Sequence, residues 1–178
     1  MTPRAPAPAR TFFDTSVLVY AHDASEPRKR DVARRLLLEH LGAGTFCTSV
    51  QVLAEYFSVV TTKGEARLDA ASARWLVEQL PADDLVAAGP RTLRSAARLC
   101  AATAAPSATG ASATAAAGLS IWDALVVETA IEAGAQALYS EDARLLRAVA
   151  AAVPDLRAED PFAGAHEHDA SDPFAAAP

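Results

Sequence analysis

Thr11-Phe12-Phe13-Asp14-Thr15-Ser16-Val17-Leu18-Val19-Tyr20 decides the fold. Phe12–Asp14 reads as a short buried strand, and Val17–Tyr20 as a short helical turn. Between them stands a carboxylate, which is costly in apolar surroundings unless something pairs with it. Open parallel sheets bind ligands at the carboxyl ends of their strands, so Asp14 sits where a site is expected. Glu55, Asp123 and Asp142 occupy comparable settings further along. Four such carboxylates brought together repel one another, so their convergence implies a cation.

Around this segment the chain alternates strand and helix patterns. Glu26-Pro27 opens a helix to about Leu41, with Val32, Ala33, Leu36, Leu37 and Leu41 at helical spacing, stopped by Gly42 and Gly44. Thr45–Thr48 reads as a strand, and Ser49 as the cap of a helix through Thr61. Asp69 starts a helix through Leu80, Asp84–Ala87 is a weak strand, and a helix follows from Pro90 to about Ala102. Residues 101–118, rich in Ala, Thr and Ser, read as an inserted flexible loop. Ser120–Ala133 is a helix bounded by Ser120 and Gly134, Gln136–Tyr139 a strand, and Ser140 the expected cap of a helix to about Val153. Asp155–Ala158 is a possible last strand. The alternation predicts one α/β domain over residues 11–162, with a central parallel sheet and helices on both faces. Residues 1–10 are expected to be a flexible lead, and residues 163–178 a disordered acidic tail.

The chain has 178 residues, 51% hydrophobic content and a formal net charge of −6. Without residues 1–10 and 159–178 the balance is 14 basic to 17 acidic. This is not the electrostatic footprint of a strong nucleic-acid binder, nor does it exclude one. Cys47 and Cys100 have no C-x-x-C spacing and read as reduced, buried thiols in a cytoplasmic protein. There is no signal-peptide pattern and no membrane-spanning run, so no membrane association is expected.

The carboxylates carry the chemistry. Each also has a local alternative. Asp123 completes an S-x-x-D capping box with Ser120, Asp142 favours a helix N-terminus, and Glu55 is a solvated helix residue. Asp14 is hardest to explain locally. Hard carboxylate oxygens suit Mg²⁺ or Mn²⁺. Such ions activate water and stabilise charge on a leaving phosphate oxygen. His22, His40, His166 and His168 form no zinc pattern, and the chain has no G-x-S-x-G, Walker A or G-x-G-x-x-G motif. The aromatic residues suggest no stacking platform. Arg28, Lys29 and Arg30 are candidate phosphate contacts, or simply a solvated helix end.

Together these residues resemble the PIN-domain nucleases, and within them the VapC-type toxins of toxin–antitoxin pairs. Phe13-Asp14-Thr15-Ser16-Val17-Leu18-Val19-Tyr20-Ala21 is similar to the opening motif, and Ser49–Tyr56 to the second. Ser120–Val127 resembles the third, Gly134–Asp142 the fourth, and Asp160-Pro161-Phe162 the common ending. The resemblance implies an α/β/α sandwich and a Mg²⁺- or Mn²⁺-dependent ribonuclease. It makes Asp14, Glu55, Asp123 and Asp142 the acidic quartet, with Asp14, Asp123 and Asp142 holding the ion. Glu55 would help position the attacking water, and Ser16 would support Asp14 or a bound water. Glu141 is adjacent to Asp142; the Ser-x-Asp pattern favours Asp142. RNA as substrate, a cognate antitoxin peptide in an apolar groove formed by helices 26–41 and 49–61, and a homodimer are further implications. The insertion departs from a compact member and lies beside the third motif. Two other readings share the motifs: a PIN-like binding module without turnover, and a DNA-directed or structure-specific nuclease.

Overall fold

β1 (Arg10–Phe13) is the middle strand of the sheet, and its neighbours explain its composition. Thr11, Phe12 and Phe13 are all buried, as befits a strand covered on both faces. It pairs in parallel with β2 (Phe46–Ser49) on one side and β4 (Ala135–Tyr139) on the other. β3 (Leu85–Val86) lies beyond β2, and β5 (Arg157–Glu159) beyond β4. The order β3-β2-β1-β4-β5 is parallel throughout. This computed structural model describes residues 9–62, 67–104 and 118–165. Most of the expected lead, insertion and tail, with His166 and His168, lies outside the described residues.

Among the described residues seven α-helices accompany the strands: α1 (Thr15–Tyr20), α2 (Pro27–Ala43), α3 (Val50–Thr62), α4 (Ala70–Gln79), α5 (Pro90–Thr103), α6 (Ile121–Glu132) and α7 (Ala143–Ala152). The result is the expected α/β/α sandwich. α6 packs against β2 and β4, and α5 packs over α6. Ala124, Leu125, Val126, Val127, Thr129 and Ala130 are all buried, so α6 is apolar nearly all round. α1 packs against α2 and α3. At the centre Phe13 meets Phe46 and Tyr139, with ring centroids 5.0 and 5.5 Å apart.

The strand order fixes where a site can form. The chain builds outward from β1 to β3, then returns to add β4 on the other side of β1. Strand order reverses between β1 and β4, and ligands of doubly wound sheets bind in the crevice at such a switch point. Phe13 pairs with Tyr139 in register, so the residues leaving both strands, Asp14 and Ser140, emerge side by side.

Local chemistry sets the ends. Gly44 adopts φ 65°, a left-handed conformation that favours glycine, and closes α2 two residues beyond the expected end. Ser49 Oγ accepts from Val52 N at 3.1 Å, as expected of a cap. Asp69 accepts from the Ala71 and Ser72 amides and caps α4. Three expectations shift. Arg10 belongs to β1 rather than the lead, held by bonds from its guanidinium to Phe46 O (3.2 Å) and Asp84 Oδ1 (2.7 Å). A 3-10 turn at Ala82–Asp84 leaves β3 only two residues. β5 starts at Arg157, because Leu156 N still bonds Val153 O in the turn after α7.

α5 and α6 are stapled where the undescribed 105–117 segment departs. Leu119 N donates to Thr103 Oγ1 at 3.1 Å. A Cβ on Gly118 would lie 2.8 Å from Thr103 O and 2.9 Å from Ala104 Cα, so only glycine fits that neck. At the other end Phe162 is fully buried, its ring 4.9 Å from Tyr20. Among the described residues no helix is long and apolar enough to cross a membrane.

Candidate active site

A cleft of about 410 Å³ opens at the carboxyl ends of β1 and β4. Asp14, Glu55, Asp123 and Asp142 all line it, as do Ser16 and Glu141. The residues singled out in the sequence are thus brought to one place, but they are held differently.

Asp14 is the most constrained. It is the residue before α1, where its Oδ1 accepts from Thr15 N at 2.8 Å and caps the helix. Its Oδ2 accepts from Ser140 Oγ at 2.6 Å, and its own N–H donates to Tyr139 O at 3.1 Å. Burial pushes its carboxyl above the usual aspartate range. The bonds from Ser140 and Thr15 pull it back, and the Glu55 and Asp123 charges push it up again. Glu55, exposed on α3, accepts at Oε2 from Thr15 Oγ1 at 3.0 Å. The β1–α1 junction therefore orients two acids through consecutive groups of Asp14 and Thr15.

Asp123 and Asp142 each combine a cleft position with a cap. Ser120 and Asp123 form the full capping box: Asp123 N donates to Ser120 Oγ (3.1 Å), and Ser120 N to Asp123 Oδ2 (3.2 Å). Arg144 Nη2 lies 3.5 Å from the same Oδ2. Asp142 is the N-cap of α7, with Oδ1 accepting from Arg144 N (2.7 Å) and Leu145 N (3.3 Å). This corrects the expected cap. Ser140 is fully buried in line with Asp14, donates to it, and accepts from Asp142 N at 3.1 Å.

Glu141 is engaged elsewhere. Lys29 Nζ donates to its Oε1, Tyr20 Oη donates to its Oε2 at 2.6 Å, and its backbone N–H donates to Ser16 Oγ at 3.2 Å. Ser16 therefore holds the β4–α7 turn, and no bond joins it to Asp14. Lys29, a candidate phosphate contact in the sequence, is buried at 8% exposure against Glu141 and Tyr20 and is not a solvated helix end. Arg28 is exposed and Arg30 half-buried.

Sequence reasoning missed several groups: Thr15, Ser140, Lys29 as a buried partner, and Arg144. Adjacency to Asp14 and Asp142 was the available signal for the first two. It also missed Trp122, 66% exposed on the cleft wall beside Asp123, with its carbonyl accepting from Gln51 Nε2 at 3.3 Å. A second, apolar groove of about 470 Å³ lies among α1 to α4 and includes Leu38 (74% exposed), Trp75 (57% exposed) and Tyr56. The Tyr56 hydroxyl is buried with no hydrogen-bond partner among the described residues. Cys47 is buried as expected, whereas Cys100 is only partly so; both are free thiols.

Among the described residues no three His, Cys, Asp or Glu side chains stand close enough to share one ion directly. The donor set nonetheless fits a hard, partly hydrated cation, because Mg²⁺ commonly keeps several waters and uses one or two carboxylates. Asp14, burdened by burial and by the Glu55 and Asp123 charges, is the group such a cation would relieve most.

The fold is shared with solved structures of low sequence identity. FitAB bound to a DNA fragment aligns with TM-score 0.58 at 13% identity, over 85% of this chain and 95% of that chain. VapC20 of Mycobacterium tuberculosis, a sarcin-ricin loop cleaving toxin, aligns with TM-score 0.51 at 18% identity, over 78% and 94%. VapBC2 of Rickettsia felis, bound to a fragment of its promoter DNA, aligns with TM-score 0.51 at 17% identity, over 84% and 97%. No curated protein sequence matches the chain. The PIN domain family model matches residues 11–151, a span that runs from the first residues of β1 through the cleft to α7. With the sheet order and the acid-lined switch point, that match makes this chain a member of the PIN domain family.

Proposed function

We propose that the protein is a Mg²⁺- or Mn²⁺-dependent endoribonuclease, acting in the cytoplasm as the toxin of a type II toxin–antitoxin pair. The observation that carries the reading is the convergence of Asp14, Glu55, Asp123 and Asp142 on one cleft at the strand switch point. Asp14, Asp123 and Asp142 would hold the ion, at most two of them directly and the rest through water. When bound, the ion supplies positive charge to the phosphodiester and lowers the pKa of a coordinated water. The rest is the work of the chain. Ser140 and the Thr15 amide fix the Asp14 carboxylate. Thr15 Oγ1 aims Glu55, which orients the attacking water. Arg144, on the rim beside Asp123, offers a cation to the phosphate.

The partner side of the proposal is a cognate antitoxin whose apolar segment fills the second groove, and a homodimer. The exposed Leu38 and Trp75 support it, since contiguous exposed apolar surface marks interaction sites. The VapBC2 and FitAB likenesses make a two-component system the natural context.

The deciding experiment is cleavage of total RNA and of single-stranded DNA with Mg²⁺, Mn²⁺ or EDTA, for the wild type and Asp14→Asn. RNA cleavage that needs metal and is lost in Asp14→Asn is the expected result. Cleavage of DNA alone would replace RNA as the substrate. Folded, partner-free protein that cleaves neither would leave a binding module without turnover.

A further inference from the structure

Among the described residues six acids line the cleft: Asp14, Asp23, Glu55, Asp123, Glu141 and Asp142. One of them is tied to a buried cation. Lys29 Nζ donates to Glu141 Oε1 and, at 3.0 Å, to Tyr20 Oη, and lies 4.5 Å from the centroid of the Tyr20 ring. Tyr20 Oη in turn donates to Glu141 Oε2 at 2.6 Å. Both Glu141 oxygens thus accept from Lys29 and Tyr20, in a three-residue set drawn from α1, α2 and the β4–α7 turn. The contrast with the next residue is sharp. Asp142 is exposed, and its Oδ1 accepts from the helix amides of Arg144 and Leu145.

We propose that Lys29, with Tyr20, is a positioning residue that withholds the Glu141 carboxylate from the site's cation, leaving Asp142 to complete the acidic set. The proposal rests on the metal-nuclease reading above. A buried ammonium is costly without a partner, so Lys29 and Glu141 hold each other. Outer-shell partners ordinarily aim a metal ligand; here the same kind of contact removes a competing one. Glu141 sits one residue from both Ser140 and Asp142. If released, it would offer a further carboxylate to the ion and drag the turn that carries both neighbours.

The test is Mn²⁺ titration calorimetry on the full chain without RNA, beside RNA cleavage. Glu141→Gln should change Mn²⁺ affinity by less than about twofold, because a group outside the ion's shell adds little to its ligand charge. Lys29→Met should bind Mn²⁺ about tenfold more tightly through the added carboxylate, and cleave about tenfold more slowly. The double variant should return to the affinity of Glu141→Gln and recover most of the cleavage. Tyr20→Phe, which keeps the lysine and the ring, should move affinity the same way by a smaller factor, and covers the case in which Lys29→Met does not fold. Weakened Mn²⁺ binding in Glu141→Gln would make Glu141 a ligand and overturn the proposal, as would unchanged affinity in both Lys29→Met and Tyr20→Phe. Wild type that binds Mn²⁺ but cleaves nothing sinks the nuclease reading alone, and the calorimetry still decides the role of Lys29. Wild type that binds no Mn²⁺ sinks both.

Discussion

Replacing Thr15 by valine removes one hydrogen bond and little else. The hydroxyl donates to Glu55 Oε2 at 3.0 Å from a buried position at the start of α1. Valine keeps the branched shape, and the Thr15 amide that caps Asp14 is untouched. A hydrogen bond to a charged group contributes about 1.5–3 kcal/mol when its loss strands a buried partner. Glu55 is exposed and regains water, so the stability cost belongs below that range, at about 1 kcal/mol. For a chain of this size that lowers Tm by about 2–4 °C. The rate cost is larger. A freed glutamate regains up to about 2 kcal/mol of rotamer entropy that the tether had removed. At about 1.4 kcal/mol per decade, cleavage should slow about 10- to 30-fold. Single-turnover cleavage at saturating Mg²⁺, with melting curves alongside, measures both. Wild-type cleavage by Thr15→Val would refute the tether. So would a loss that adds in full to that of Glu55→Gln in the double variant, because two parts of one device cannot be removed twice.

Three further outcomes follow from the geometry. Asp14 has a folded-state pKa raised above its unfolded value, mainly by burial, so its protonated form favours the fold. That contribution is fully present below the unfolded value and is lost as pH rises through the folded one; in metal-free protein Asp14→Asn should remove this segment of the stability–pH curve, and an unchanged curve would show that Asp14 is not its source. Ser140→Ala deletes the bond that lowers the Asp14 pKa, so the acid limb of the cleavage profile should move to higher pH; an unmoved limb would assign it to another group. Burial pushes the Cys47 thiol up to about 11, whereas Cys100 is partly exposed, so a thiol reagent at pH 8 should titrate one cysteine in the folded protein and two in denaturant.

The parts of the fold legible in the sequence are those written locally. The run Phe12–Phe13 before Asp14, the Pro27 start and the caps at Ser49, Asp69 and Ser120 each rest on residues within four positions of one another. The parallel sheet and the shared cleft followed from alternation and from acids placed after strands, whereas the strand order came only with the structure. What was illegible depends on distant pairing. Ser140-Glu141-Asp142 offers two capping residues two apart, and only the position of Asp14, 126 residues away, commits the first to the site and leaves the cap to the second. Lys29 reads as one charge among three at a helix start until Glu141, 112 residues on, is beside it. Trp122 reads as an apolar helix residue because it opens a helix whose Ala124–Val127, Thr129 and Ala130 are buried.

The staple between α5 and α6 has a practical consequence. Thr103 and Gly118 meet before the chain leaves them, so the closure of whatever runs between is already fixed by the body of the domain. The cost of closing such a span grows only by about 0.6 kcal/mol for each doubling of its length. A reporter protein whose own ends lie close together, spliced into 105–117, should therefore leave the melting temperature nearly where it was. The 105–117 span ends three residues before Ser120, where the capping box of α6 begins, so the reporter's emission would be read from near the edge of the cleft.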